Sequence, residues 1–128
     1  MVYFITGRAG AGKTVKAYQM KYNFKNLGMN NTLILDGDEI RAEFSTGFTD
    51  EDREKNIMRI AKIAKIAEAQ GLIVIIALIA PKKIWRMKAR ELFKESELTY
   101  IPGGRLWEGT SYEEPDEEEL KYYGNNSS

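Results

Sequence analysis

Gly7-Arg8-Ala9-Gly10-Ala11-Gly12-Lys13-Thr14 decides how the rest of the chain is read. The spacing has a mechanical reason: glycines let successive backbone N–H groups turn toward one centre, and a following helix adds its positive end. In this reading Gly7, Arg8, Ala9, Gly10, Ala11 and Gly12 cradle the phosphates of a nucleoside triphosphate, ATP in the first instance. Lys13 reaches the β and γ phosphates and takes part in the transfer, and the Thr14 hydroxyl coordinates magnesium. A dinucleotide fingerprint is the rival. It fails because its third glycine, counted from Gly10 and Gly12, falls on Val15.

Outward from the loop, strand and helix patterns alternate. Val2 to Ile5 is a short apolar run that delivers the loop as a buried strand does, and Thr14 to Leu27 reads as a helix stopped by Gly28. Thr32 to Leu35 predicts a second strand, and Asp38 to Phe44 a short helix. Thr49 with Asp52 opens a long helix to Gln70, with Ile57, Ile60, Ala64 and Ala67 along one stripe. Leu72 to Ile79 is apolar on both faces, the mark of a central parallel strand. Pro81 ends that run and starts a helix with Trp85, Ala89, Leu92 and Phe93 inward. Leu98 to Ile101 is a fourth strand, followed by the turn Pro102-Gly103-Gly104. The expected fold is α/β, a three-layer sandwich around a parallel sheet. It forms one domain over residues 1 to 124, with a disordered end at 125 to 128.

Composition narrows the chemistry. The 128 residues include no cysteine and no histidine, so disulfides, zinc sites and imidazole catalysis are excluded, and carboxylates, lysines and arginines must do the work. Residues 1 to 112 hold 18 basic and 13 acidic side chains, residues 113 to 128 one and six. A mildly basic body suits a small anionic substrate such as a nucleotide, whereas a dedicated nucleic-acid binder would carry a larger excess. The basic set Lys82, Lys83, Arg86, Lys88, Arg90 and Lys94 is expected to be a solvated helix face, and the acidic run Glu113 to Glu119 a solvated tail. The start reaches Gly7 and Arg8 too soon for a secretory signal, and Leu72 to Ala80 is too short to span a bilayer, so a cytoplasmic protein without a membrane partner is expected.

A second cluster suggests the acceptor. Asp36, at a strand end beside the loop, can hold magnesium or its waters. Asp38 can accept a proton from an attacking hydroxyl, and Arg41, three residues on, projects from the same helix face. Arg53 and Asn56 repeat the spacing near the start of the long helix, as grips for an anionic acceptor.

These residues, with the loop, Leu35 to Arg41, Gly47 to Ala61, Ile79-Ala80-Pro81 and Arg86 and Arg90, resemble the adenylylsulfate kinases in order and spacing over about residues 1 to 95. The resemblance implies the fold of the P-loop nucleoside triphosphate hydrolases. It also implies ATP- and magnesium-dependent phosphorylation of the 3′-hydroxyl of adenosine 5′-phosphosulfate. Asp38 would stand at that hydroxyl, Arg41, Arg53 and Asn56 would hold the phosphosulfate, Phe48 would stack on the acceptor adenine, and Ile79 and Ala80 would border the substrate. A homodimer is the family habit. The family's lid is expected to be cut to a turn here, since Thr99 to Trp107 runs almost directly into Glu108 to Pro115. Trp107 would then close an aromatic sandwich with Phe48. Ala80, where many members carry serine, leaves direct transfer between nucleotides. The rival readings are a related kinase for another nucleotide, a nucleoside or a polynucleotide end, and a nucleotide-binding module without turnover.

Overall fold

The structure is a computed structural model that describes residues 1–44, 46–105 and 111–122. Four strands alternate with helices: β1 (Val2–Gly7), α1 (Lys13–Asn26), β2 (Thr32–Asp36), α2 (Gly37–Glu43), α3 (Asp50–Ala69), β3 (Ile73–Leu78), α4 (Lys83–Arg90), β4 (Ser96–Ile101) and α5 (Glu117–Lys121). The sheet order is β2-β3-β1-β4, with every neighbouring pair parallel.

The alternation of side chains along the strands builds two cores. Val2, Phe4, Val74, Ile76 and Leu78 face Ile57, Ile60, Ala64, Trp85, Ala89 and Phe93 of the α3 and α4 side. Ile5, Ile75 and Ala77 turn the other way onto Ala17, Met20 and Phe24 of α1. Helices thus cover both faces of β3, which is why its sequence is apolar without alternation. The three-layer α/β sandwich of the P-loop fold stands as expected.

The element limits differ in instructive places. Asp36 ends β2 and caps α2 through its carboxylate, which accepts from the N–H groups of Asp38 and Glu39, so the helix starts at Gly37 and Asp38 is its second residue. Pro81 stays outside α4, and Lys82 is that helix's uncapped N-terminal neighbour.

The larger correction is at the acidic run. Glu113, Glu114, Asp116, Glu117 and Glu118 are exposed as expected, but the run is no free tail: Asp116 caps α5, and Glu119 is 2% exposed against β4 and α4. Nor is the whole basic set solvated: Arg86 and Arg90 are both fully buried. Each is desolvated against a partner the linear pattern could not show, Arg86 on Glu119 and Arg90 on Ser96 and the Glu119 carbonyl. Lys88 and Lys94 remain exposed as expected. Among the described residues, no helix is long and apolar enough to cross a membrane.

Candidate active site

The loop between β1 and α1 has the geometry its glycines allow. Gly10 and Gly12 take φ of 75° and 101°, values at which a β-carbon would clash with the backbone. Helices α2, α3 and α5 each start on a capping carboxylate or hydroxyl, whereas α1 starts on Gly12 with no side-chain cap and no acidic residue in its first turn. The N–H groups of that turn are left for an anion. Lys13 Nζ donates to the Arg8 carbonyl at 2.7 Å. Burial lowers the Lys13 pKa, with Asp38 and then Asp36 opposing that shift.

Across from the loop, the carboxyl ends of β2 and β3 supply the second wall, as expected of an open parallel sheet. Gly37 makes this possible by letting α2 lie close on β3: a β-carbon there would stand 3.1 Å from Leu78 Cδ1 and 3.2 Å from Leu78 Cβ. The Asp36 carboxylate divides its work. One oxygen caps α2, and the other accepts the Thr14 hydroxyl at 2.9 Å. A hydroxyl and a carboxylate in contact beside a phosphate loop fit magnesium, which takes one or two protein oxygens and completes its shell with phosphate and water.

Asp38, 88% exposed at its side chain, pairs with Arg41 at 3.0 Å, three residues along α2. The Arg41 guanidinium lies 4.9 Å from the centre of the Phe48 ring, and its Nε is buried without a hydrogen-bond partner. Phe48 itself is 69% exposed, an aromatic face held at the rim rather than in the core.

A cavity of about 910 Å³ joins the two walls. This is near the upper end for small-molecule sites, roughly 300–1,000 Å³, which suits two ligands meeting in one cleft. Its lining joins Ala9, Gly10, Gly12, Lys13 and Thr14 of the loop and α1 to Asp36, Asp38, Arg41, Phe48, Arg53, Ile79 and Ala80. Gly7, Arg8, Ala11 and Asn56 are not among the lining residues. Arg8 turns away, donating to the Tyr100 hydroxyl at 2.7 Å and to Glu114 at 3.3 Å. Asn56 is fully buried beneath the wall, where its amide donates to the Gly37 carbonyl. It therefore supports α2. Trp107 lies outside the described residues, as does the rest of 106–110, on which part of the expected lid-replacing turn falls.

Sequence reasoning missed Arg105. Its backbone N–H donates to the Ala9 carbonyl at 2.9 Å, which brings its side chain to the donor end of the cavity. Only its place after the turn Pro102-Gly103-Gly104 hinted that it would fold back.

A phosphate loop and an acceptor-like wall on one parallel sheet define the P-loop phosphotransferase class. Comparison makes this specific: the profile of the adenylylsulphate kinase family matches residues 1–102, and the chain belongs to that family. It is 39% identical over 102 residues to the adenylyl-sulfate kinase of Vibrio parahaemolyticus, covering 78% of this chain and 49% of that one. It is also 39% identical to the bifunctional enzyme NodQ of Rhizobium meliloti, covering 78% of this chain and 16% of NodQ. The chain spans about half the length of the curated adenylyl-sulfate kinases it matches. Among solved structures, the Mycobacterium tuberculosis APS kinase CysC in complex with AMPPNP and APS superimposes with a TM-score of 0.72 at 24% identity. That match covers 78% of this chain and 61% of CysC, and it speaks for the fold.

Proposed function

We propose that the chain is an ATP-dependent kinase that phosphorylates the 3′-hydroxyl of adenosine 5′-phosphosulfate to give 3′-phosphoadenosine 5′-phosphosulfate. The observation that carries this is that Lys13 and Thr14 line one cavity together with Asp38, Arg41, Phe48 and Arg53. The family's relatives named for this activity support the same substrates.

Each residue then has a task. The loop and the first turn of α1 bind the triphosphate, Lys13 offsets charge on the β and γ phosphates, and Arg105 adds a cation at the donor end. Magnesium, held by Thr14 and Asp36, would neutralise phosphate charge. Phe48 stacks on the acceptor base, while Arg41 and Arg53 take the phosphosulfate anion. The 3′-oxygen attacks the γ-phosphorus as its bond to the β–γ bridging oxygen breaks, ADP leaves, and the hydroxyl proton passes to Asp38. Asn56 enters the site through Gly37, as the support of α2. Magnesium as companion cation, a cytoplasmic location where ATP is supplied, and a homodimer belong to the same proposal. Sedimentation equilibrium checks the last.

The test is incubation with magnesium and ATP in the presence of adenosine 5′-phosphosulfate, nucleosides, other nucleotides or oligonucleotides, following ADP and labelled product. Turnover is expected with adenosine 5′-phosphosulfate. Asp38→Asn should lower kcat by roughly 10²–10⁴ while ATP-analogue binding survives. Turnover with another acceptor alone assigns the site to that acceptor, and no acceptor-dependent ADP at all overturns the kinase reading. A nearly active Asp38→Asn variant would remove Asp38 from the mechanism.

A further inference from the structure

Three successive backbone carbonyls of the cavity wall are each held by a hydrogen bond. Ile79, Ala80 and Pro81 follow β3 and line the acceptor side. The Ile79 carbonyl accepts from the Thr6 hydroxyl, the Ala80 carbonyl from Arg86 at 2.7 Å, and the Pro81 carbonyl from the Glu113 N–H at 2.8 Å. Thr6 spends its single proton on Ile79, so the Tyr112 hydroxyl, 2.8 Å away, must donate to the Thr6 oxygen. Burial pushes the Tyr112 phenol up, which keeps that proton in place.

Arg86 is itself fixed by the same segment. Its Nε and one terminal nitrogen meet the two oxygens of Glu119 at 2.6 and 3.0 Å, the latter nitrogen also donates to the Glu113 carbonyl, and both side chains of the ion pair are fully buried. A buried pair of this kind is weak evidence for stability, since desolvation opposes the attraction. What a bidentate fork supplies is direction.

The direction matters because Ala80 sits at φ 44°, the one non-glycine residue with positive φ among those described. An alanine enters that region at a cost, and it stays there when the surroundings over-determine it.

We propose that residues 111–122 form a strap, beyond the 1–102 family match, whose role is to hold the Ile79–Pro81 loop in its kinked form and so to shape the acceptor side of the site. Tyr112 and Glu119 are positioning residues: the first acts through Thr6 on Ile79, the second through Arg86 on Ala80. The strap also reaches the donor loop, through Glu114 on Arg8 and through the Tyr112 ring, 4.9 Å from the Arg8 guanidinium, and both contacts end on a side chain that does not line the cavity. Tyr112→Phe and Glu119→Gln keep both of those contacts, so these two variants bear on acceptor binding and spare donor binding. The name of the acceptor rests on the function proposed above; the conformational role does not.

Tyr112→Phe and Glu119→Gln remove one donor and one charge with little change in shape, and Tyr112→Phe serves alone if Glu119→Gln does not fold. Amide hydrogen exchange at Ile79, Ala80 and Lys82 is read first. Both variants should speed it ~10-fold, the equivalent of one lost hydrogen bond, with the amides of residues 9–14 unchanged. Unchanged exchange at 79–82 in a folded variant overturns the strap, whichever acceptor is used. Calorimetry then compares AMPPNP with adenosine 5′-phosphosulfate. Acceptor affinity should fall ~10-fold and AMPPNP affinity stay within about twofold. Ala80→Gly, which frees φ, should recover part of the acceptor loss in the Glu119→Gln background. Equal losses for donor and acceptor would overturn the positioning role. Failure of the parent protein to bind adenosine 5′-phosphosulfate, with faster exchange in the variants, would instead reject the acceptor while upholding the strap.

Discussion

Burial works against the charge on Lys13, and Asp38 and Asp36 only partly oppose it, so this ammonium loses its proton below the ordinary lysine range. Since the charged form is the one that meets phosphate, the free protein's affinity for an ATP analogue should begin to decline on the alkaline side earlier than a surface lysine would dictate. Fluorescence titration against pH reads this directly, and affinity that holds flat until lysine's usual pKa would contradict it. Arg105 is exposed, so its phosphate contact would be solvent-screened. Arg105→Ala should weaken ATP-analogue binding by only about two- to tenfold, a loss that calorimetry resolves. The residues that were legible singly are those whose role is local. Lys13 and Thr14 follow the loop by one and two positions, and Asp38 and Arg41 meet because a helix brings residues three apart together.

Elements place those residues, and here small side chains decide. Gly37→Ala puts a methyl 3.1 Å from Leu78 Cδ1 and 3.2 Å from Leu78 Cβ, so α2 and Leu78 must part by a few tenths of an ångström, and a cost of about 1 kcal/mol in urea unfolding is expected. The same variant should weaken acceptor binding more than donor binding, because Asp38 and Arg41 ride on α2. Thr49, whose hydroxyl accepts the Asp52 N–H at 3.1 Å, starts the helix that carries Arg53. Thr49→Ala should cost ~1 kcal/mol in the same assay. The Thr49 cap and the inward stripe of α3 could be read from residue spacing, and so could the doubly apolar β3. Asn56 could not. Its spacing from Arg53 marked it as a ligand grip, yet it faces Gly37 beneath the wall, because α3 buries that side against α2.

At the scale of the molecule, the charge division along the chain is resolved by packing. The acidic segment returns to the basic helix: Glu119 joins Arg86 in the interior, while Asp116 meets Lys83 at the surface at 2.7 Å. Glu119→Ala would leave Arg86 buried without its partner, and a loss of about 3–5 kcal/mol in urea unfolding is expected. A change below ~1 kcal/mol would mean that water reaches Arg86. The sequence by itself determined the phosphate loop, the order of strands and helices, the parallel three-layer fold and most of the cavity's lining, all of which depend on contacts within a few residues or on periodicity. Only the tertiary structure decided that Arg86, Arg90 and Glu119 are interior, that Arg105 faces the donor end, and that the Ile79–Pro81 loop is gripped from residues 112–119. Most of those facts join positions some 30 to 100 residues apart, and a charged side chain has the same pattern in sequence whether water or a buried partner completes it.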